Sequence, residues 1–205
     1  MELGYFTLER TGRDSTITTP AVVLNYGFTK NWEVIAELHL QASPEVEITD
    51  PGLFLKWVLK EGVLQEKEGV SIAIEAGLLL PSTVSHEHGL GIQAIGALSG
   101  KVSPVTLHVN GGGGLDRDNR GFVSWGVIGE LPVHRKLRLA AEVNGTATQG
   151  QRPNNSGLVG VLWQPTSKNL VLDAGVRRGF GGAAPDWQFT LGLTFGFPLP
   201  GASPR

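Results

Sequence analysis

Hydrophobic and polar residues alternate with a period of two along almost the whole chain. The clearest segment is 32–41, whose two faces read Trp32, Val34, Ala36, Leu38, Leu40 and Glu33, Ile35, Glu37, His39, Gln41. Successive side chains of a β-strand point to opposite faces. This segment therefore predicts a strand with one face in apolar surroundings and the other in polar surroundings.

The same alternation predicts about twelve strands, each long enough for a tilted strand to cross a bilayer. Their predicted ranges are 2–11, 16–29, 32–42, 52–61, 69–81, 89–102, 104–115, 121–133, 136–148, 156–165, 169–180 and 187–198. Strands of ordinary soluble proteins average about five or six residues. The side chains predicted to face outward to lipid include Leu38, Leu55, Trp57, Ile72, Leu107, Trp125, Leu139 and Leu191.

The connections alternate between short and long, which is typical of outer-membrane barrels with short periplasmic turns and longer extracellular loops. The short ones are 29–31, 103–104, 133–136 and 166–169. The longer ones are 43–51, 81–88, 115–120, 149–156 and 179–186. Segment 61–69 departs from the pattern, because it is long and charged where a short turn is expected.

A soluble antiparallel sandwich also alternates, but three features favour a barrel in lipid. The strands are long, their apolar faces carry few polar residues, and the five tryptophans lie mostly on those faces or near strand ends, as in interfacial girdles. A sheet in hydrocarbon must close, because an unpaired edge cannot be satisfied there. We therefore predict an all-β fold, a closed antiparallel transmembrane barrel of residues 1–197 in the bacterial outer membrane, with a short tail at 198–205.

Composition narrows the functional classes further. A net charge of −2 indicates no nucleic-acid surface, and the absence of cysteine excludes disulfides, thiolate metal ligands and a cysteine nucleophile. The sequence contains no run of 18 apolar residues, so it predicts no transmembrane helix. The first residues lack the basic start and apolar core of a signal peptide, so for an exported barrel we expect either that a leader has been removed or that the chain has been shortened.

The polar face of the strands is predicted to line the lumen. Its named members are Glu33, Glu37, His39, Lys56, Lys60, Glu75, His108, Asn110, Glu130, Arg138, Glu142, Asp173 and Arg177. Because unpaired charges in a confined space are costly, we expect ion pairs across the strands. The predicted pairs join Glu33 and Glu37 to Lys56 and Lys60, and Arg138 to Glu142 near Asp173 and Arg177.

Catalytic and metal chemistry are the weaker interpretations. His86 and His88 could chelate a metal, but no third ligand lies near them in sequence, so a solvated loop is favoured. His108, Asn110 and Ser124 invite comparison with barrel hydrolases, but nothing in their spacing requires a nucleophile and base in contact. The glycine runs 111–114 and 179–182 lack the helix and lysine of a phosphate loop. We predict no enzyme, no cofactor and no metal.

The chain resembles the outer-membrane barrel family named for the meta-pathway of phenol degradation. The likeness rests on residues 24–34, 50–56, 89–91, 109–112 and 185–189, in that order. Segment 187–197 resembles the last strand of outer-membrane barrels, which ends in an aromatic residue, here Phe197, that the insertion machinery reads. The resemblance implies a barrel tied to uptake of hydrophobic compounds and implies no catalytic residues.

Three functions follow as hypotheses. The first is a narrow channel or transporter for small solutes, including hydrophobic or aromatic ones. The alternative is a non-conducting barrel that anchors a protein partner in a larger outer-membrane complex. The third, from another class, is a soluble β-protein that binds a ligand. Barrels of eight strands are filled by side chains and those of 16–18 strands leave a channel, so about twelve strands predict an intermediate, narrow lumen.

Overall fold

A computed structural model describes residues 2–85, 87–165 and 169–196, with side chains described from Phe6 onward. These residues form twelve strands and one short 3₁₀ helix. The strands are β1 Glu2–Thr11, β2 Asp14–Gly27, β3 Trp32–Ser43, β4 Glu47–Lys60, β5 Ser71–Leu79, β6 Gly91–Val102, β7 Val105–Leu115, β8 Gly121–His134, β9 Leu137–Thr148, β10 Asn154–Trp163, β11 Leu170–Gly182 and β12 Trp187–Phe195. In this part of the chain, no helix is long and apolar enough to span a membrane.

Every strand pairs with its neighbours in sequence, and β1 pairs with β12, so the sheet closes into a barrel. All of these pairings are antiparallel. The predicted closed antiparallel barrel of about twelve strands is confirmed. We call the end where β1 begins and β12 ends the terminus end, and the opposite end the loop end.

Exposure alternates along the strands as the sequence pattern predicts. On β4, Leu53, Leu55 and Trp57 are 46%, 42% and 43% exposed, whereas the intervening Phe54 is 4% exposed. The four buried apolar side chains among the described residues, Ala21, Ile35, Phe54 and Val58, all lie on the inner face. The outer wall is therefore a continuous apolar surface, and the enclosed side chains lie inside the barrel.

Tryptophans mark the outer wall near both ends. Trp32 and Trp57 are register partners near the terminus end, and their rings stack in parallel with centroids 5.2 Å apart. Trp187 begins β12 at the loop end, where the Arg178 guanidinium lies 4.7 Å from its ring centroid. Indole rings with a polar edge are favoured at membrane interfaces.

The connection between β3 and β4 is much shorter than predicted. The sequence placed a long loop at 43–51, but β4 begins at Glu47, so only residues 44–46 connect it to β3. Asp50 and Pro51 suggested a loop because both are typical of turns. They form instead an irregularity within β4, where the register shifts and Asp50 has a φ of 46°. Such a bulge adds a residue without ending the strand.

The long connection between β4 and β5 is ordered by the 3₁₀ helix Val63–Gln65. The Gln65 carboxamide oxygen accepts hydrogen bonds from the Gly62 N–H and the Ser71 hydroxyl, both at 3.0 Å. The Ser71 hydroxyl in turn accepts one from the Leu64 N–H at 3.1 Å. This segment is therefore held against the first residue of β5.

Candidate functional site: the polar inner wall

The predicted lumen residues lie on the inner face of seven strands, with one exception. They are Glu33, Glu37 and His39 on β3, Lys56 on β4, Glu75 on β5, His108 and Asn110 on β7, Glu130, Arg138 and Glu142 on β8 and β9, and Asp173 and Arg177 on β11. All of these are buried or half-buried. Lys60 is exposed instead, because it ends β4 beyond a register shift that follows Val58.

On β3 and β4, opposite charges face each other near the terminus end. Glu33 is the register partner of Lys56, and its carboxylate lies 3.6 Å from the Lys56 ammonium. Lys56 is also the register partner of Glu75 on β5. The predicted pairing of Glu33 with Lys56 is therefore present.

A second set of polar groups crosses β6 to β9. Ser99 Oγ lies 2.9 Å from His108 Nδ1, and His108 Nε2 lies 3.6 Å from the Glu130 carboxylate. The other Glu130 oxygen lies 3.4 Å from Arg138 Nε. His108 thus has Ser99 beside it, whereas Ser124 pairs with Gly112 further along β7. Ser99 is 4% exposed, so its hydroxyl is enclosed by the wall.

The ion pair of Glu142 differs from the predicted one. Its carboxylate lies 3.1 Å from Arg177, whereas Arg138 contacts Glu130. The registers explain this, because both Glu142 and Arg177 lie opposite Leu158 and so reach each other across β10. Arg138 lies nearer the terminus end of β9.

Hydrogen bonds complete this group into a closed ring. Arg177 donates to the Ser156 hydroxyl at 2.9 Å, and Ser156 donates to the side-chain oxygen Oδ1 of Asn144 at 2.7 Å. The Asn144 amide then donates to Glu142. The four side chains, Glu142, Asn144, Ser156 and Arg177, are called the inner ring below.

A row of register partners continues from the inner ring to β12 and β1, the two strands that close the barrel. Arg177 lies opposite Gln188 on β12, and Gln188 lies opposite Glu9 on β1. The Gln188 amide donates to the Glu9 carboxylate at 2.6 Å. Sequence analysis did not single out Glu9, because Glu9 and Arg10 place charges on both faces of β1 and obscure the alternation.

The inner ring and Glu9 border a cavity of about 490 Å³ in the loop half of the barrel. Its wall consists of Glu9, Asn110, Ser124, Trp125, Gly126, Glu142, Asn144, Gly145, Thr146, Asn154, Ser156, Arg177, Ala183, Pro185 and Gln188. We call it the polar cavity, since most of the side chains that line it carry hydroxyl, amide or charged groups.

At the loop end, Arg117 of the β7–β8 connection contacts both the β5–β6 connection and the irregularity in β4. Its guanidinium donates to the carbonyl oxygens of Leu80 at 2.6 Å and Pro51 at 3.1 Å. It also contacts the carboxylates of Asp50 at 3.3 Å and Glu87 at 3.2 Å. The sequence pattern does not reveal this role, because Arg117 lies in a loop where alternation carries no information.

The same β7–β8 connection contains a local charge cluster. Arg120 contacts Asp116 at 2.7 Å and Asp118 at 2.8 Å. Partial burial acts to raise the pKa of Asp116, but hydrogen bonds from the Arg120 backbone, the Arg120 side chain and the Asp118 backbone outweigh it and lower that pKa. The carboxylate in turn raises the pKa of Arg120.

Metal binding gains no support from the described residues, in which no three His, Asp or Glu side chains gather. His88 Nδ1 lies 3.2 Å from the Ser82 carbonyl oxygen. His86, the other half of the His-x-His pair, lies outside the described residues, as does the terminal Phe197.

No protein-family model matches the chain, and no curated protein matches it in sequence. Solved structures do match in fold. The NanC porin has a TM-score of 0.70 at 7% identity, covering 96% of this chain and 100% of that one. The KdgM porin has a TM-score of 0.67 at 10% identity, with 96% and 99% covered.

A third structure is the COG4313 outer membrane channel from Pseudomonas putida F1. It has a TM-score of 0.65 at 10% identity and covers 96% of this chain and 94% of that one. Another structure of the KdgM porin is described as a complex with disordered oligogalacturonate. All three proteins are channels or porins rather than enzymes by description. The chain therefore has the fold of a twelve-stranded outer-membrane porin.

Proposed function

We propose that this protein is a narrow channel of the bacterial outer membrane that passes small solutes. The observation that carries the proposal is the contrast between the two faces of one closed sheet. The outer face is apolar over its length, while charged and hydrogen-bonding groups occupy the inner face in both halves of the barrel. Water and polar solutes are stabilised by such an inner face, and lipid by such an outer one.

Paired charges support a narrow pore rather than a wide one. Glu33 with Lys56, Glu130 with Arg138 and Glu142 with Arg177 each hold two long side chains against the inner wall. Twelve strands lie between barrels filled by side chains and barrels that leave a wide channel. We expect discrete conductance steps smaller than those of 16-stranded porins.

A finer proposal concerns hydrophobic or aromatic solutes. It rests on the resemblance to the phenol-degradation family and on the apolar inner side chains Ile35, Phe54 and Val58. If aromatic solutes pass along these residues, millimolar phenol reversibly blocks the single-channel current. If phenol does not affect the current, that solute class is rejected and the channel itself remains.

Conductance of the purified barrel in a planar lipid bilayer tests the proposed function. The expected result is stepwise current at moderate voltage in potassium chloride. A folded, inserted barrel that passes no current would contradict the channel and favour the non-conducting anchor for a protein partner. Folding is checked independently, because closed outer-membrane barrels migrate differently on gels before and after heating.

Insertion is a further part of the proposal. We propose that the outer-membrane insertion machinery reads the C-terminal strand through Phe197. Deletion of residues 197–205 tests this directly, and the expected result is loss of the barrel from the outer-membrane fraction. Removal of residues 198–205 alone is the matched control and is expected to leave insertion intact.

A further inference from the structure

The polar cavity has the size of a small-molecule site. Its volume of about 490 Å³ lies within the range of roughly 300–1,000 Å³ that is usual for such sites. It lies in the loop half of the barrel, where β7 to β12 and β1 contribute its wall. A solute moving through the proposed channel would have to pass this region.

The polar groups of the cavity differ in whether they already have side-chain hydrogen-bond partners. Each member of the inner ring already has hydrogen-bond partners within the ring. Among the described contacts, the Asn110 amide and the Ser124 and Thr146 hydroxyls have no side-chain hydrogen-bond partner. These groups are available to a solute that carries several hydroxyls.

Gly126 makes room for one of these groups. It lies between Asn110 and Asn144 in the register, and a Cβ at this position would come 2.9 Å from the Asn110 side-chain oxygen. A side chain at this position would therefore displace the Asn110 amide, whereas glycine leaves the amide in place.

The charges of the cavity do not cancel. Arg177 is paired with Glu142 at 3.1 Å, so their charges offset each other. Glu9 accepts a hydrogen bond from the neutral Gln188 amide, and no ion pair found among the described residues includes it. The cavity therefore carries one carboxylate without a paired cation.

We propose that the polar cavity binds a small polyhydroxylated solute that carries a positive charge, an amino sugar being the simplest example. The hydroxyls hydrogen-bond to Asn110, Ser124 and Thr146, and the ammonium group lies against the Glu9 carboxylate. A neutral sugar of the same size binds less tightly, and a sugar acid is repelled. This inference rests on the proposed channel function and names the solute class that its inner wall favours.

Titration calorimetry of the folded barrel in detergent tests the proposal with three probes of one size: glucosamine, glucose and glucuronate. The expected order of affinity is glucosamine, then glucose, with glucuronate weakest. Glu9→Gln should weaken glucosamine binding about tenfold, the factor expected when one charged hydrogen bond is lost. The same substitution should leave glucose binding nearly unchanged.

Glu75→Gln is the matched control, because it removes the same charge from the inner face of β5, away from the cavity. It should leave the glucosamine affinity unaltered. Equal binding of the three probes, binding of none, or an equal effect of the two variants would overturn the proposal. Because calorimetry does not depend on conduction, failure of this site is distinguished from failure of the channel, which the bilayer measurement reports separately.

Discussion

At the scale of residues, the charges of the inner wall are arranged in ion pairs. The Arg177–Glu142 pair has the most hydrogen-bond partners among them. Arg177→Ala should leave the Glu142 carboxylate without its counter-charge, so the channel should become more selective for cations. The reversal potential in a potassium chloride gradient measures this. Arg178→Ala is the control, because Arg178 is exposed and lies over Trp187 on the outer face.

An unchanged reversal potential in Arg177→Ala, or an equal change in Arg178→Ala, would contradict the assigned pairing. The analogous experiment at Arg138, which the sequence suggested, addresses another partner. Arg138 contacts Glu130, so its removal exposes that carboxylate rather than Glu142.

The outer wall gives a prediction about stability. Leu139 is 42% exposed on β9, and its neighbour Arg138 faces inward. Leu139→Arg should lower the free energy of unfolding in lipid, but by less than the roughly 2–4 kcal/mol that a cation costs at the bilayer midplane, because Leu139 is only the third residue of β9 from the terminus end. Urea unfolding in vesicles measures it, with Leu139→Ala as the control for lost side-chain volume. Equal stability of Leu139→Arg and the parent would reverse the inside–outside assignment.

Sequence alternation identified the face of a residue but could not identify its partner. The alternation along each strand places Glu142 and Arg177 on the inner face. Their contact, however, depends on how β10 pairs with β9 and with β11, since both residues lie opposite Leu158. Register is a long-range property of the closed sheet, so a single strand's pattern does not contain it. The predicted lumen residues also omit Ser156 and Asn144, whose neutral side chains are less conspicuous than charges.

At the scale of elements, Arg117 links the β7–β8 connection to the β5–β6 connection and to β4. Arg117→Ala removes its contacts with Asp50, Glu87 and the carbonyl oxygens of Leu80 and Pro51. The β5–β6 connection should then be cleaved faster in limited proteolysis of the folded barrel. Arg120→Ala is the control, because its ion pairs stay within the β7–β8 connection. Equal cleavage rates in the two variants would contradict the bridging role.

The β7–β8 connection also predicts a pH dependence. The pKa of Asp116 is lowered in the folded state, so its stabilising effect is fully present above the ordinary aspartate pKa and is lost as the pH falls through the lower folded value. The connection should therefore keep its structure on acidification to about pH 4 and lose it only below that. An NMR titration of Asp116 checks this, and a midpoint above the ordinary range would contradict it.

The strand β4 shows where local signals mislead at this scale. Aspartate followed by proline is typical of a loop, yet Asp50 and Pro51 form an irregularity inside the strand. Pairing of Gln41 with Glu47 and of His39 with Thr49 extends the sheet beyond that point. Cross-strand pairing therefore overrides turn propensity here.

At the scale of the whole molecule, the strand number, closure and face assignment follow from period-two alternation, strand length and the need to satisfy every backbone group in lipid. The polar cavity does not follow from these signals. It is lined by seven of the twelve strands, and it depends on which of them meet when β1 closes on β12. Such proximity arises from the closed topology rather than from any segment.

Substituted-cysteine accessibility during current recording tests the central claim most directly, because the chain has no cysteine of its own. Single cysteines are introduced on β9 by Ala140→Cys and Asn144→Cys on the inner face, and by Ala141→Cys and Val143→Cys on the outer face. A charged, water-soluble thiol reagent should reduce the current through the first two variants and leave the last two unchanged. Current changes at both faces, or at neither, would contradict a water-filled path along the polar inner wall.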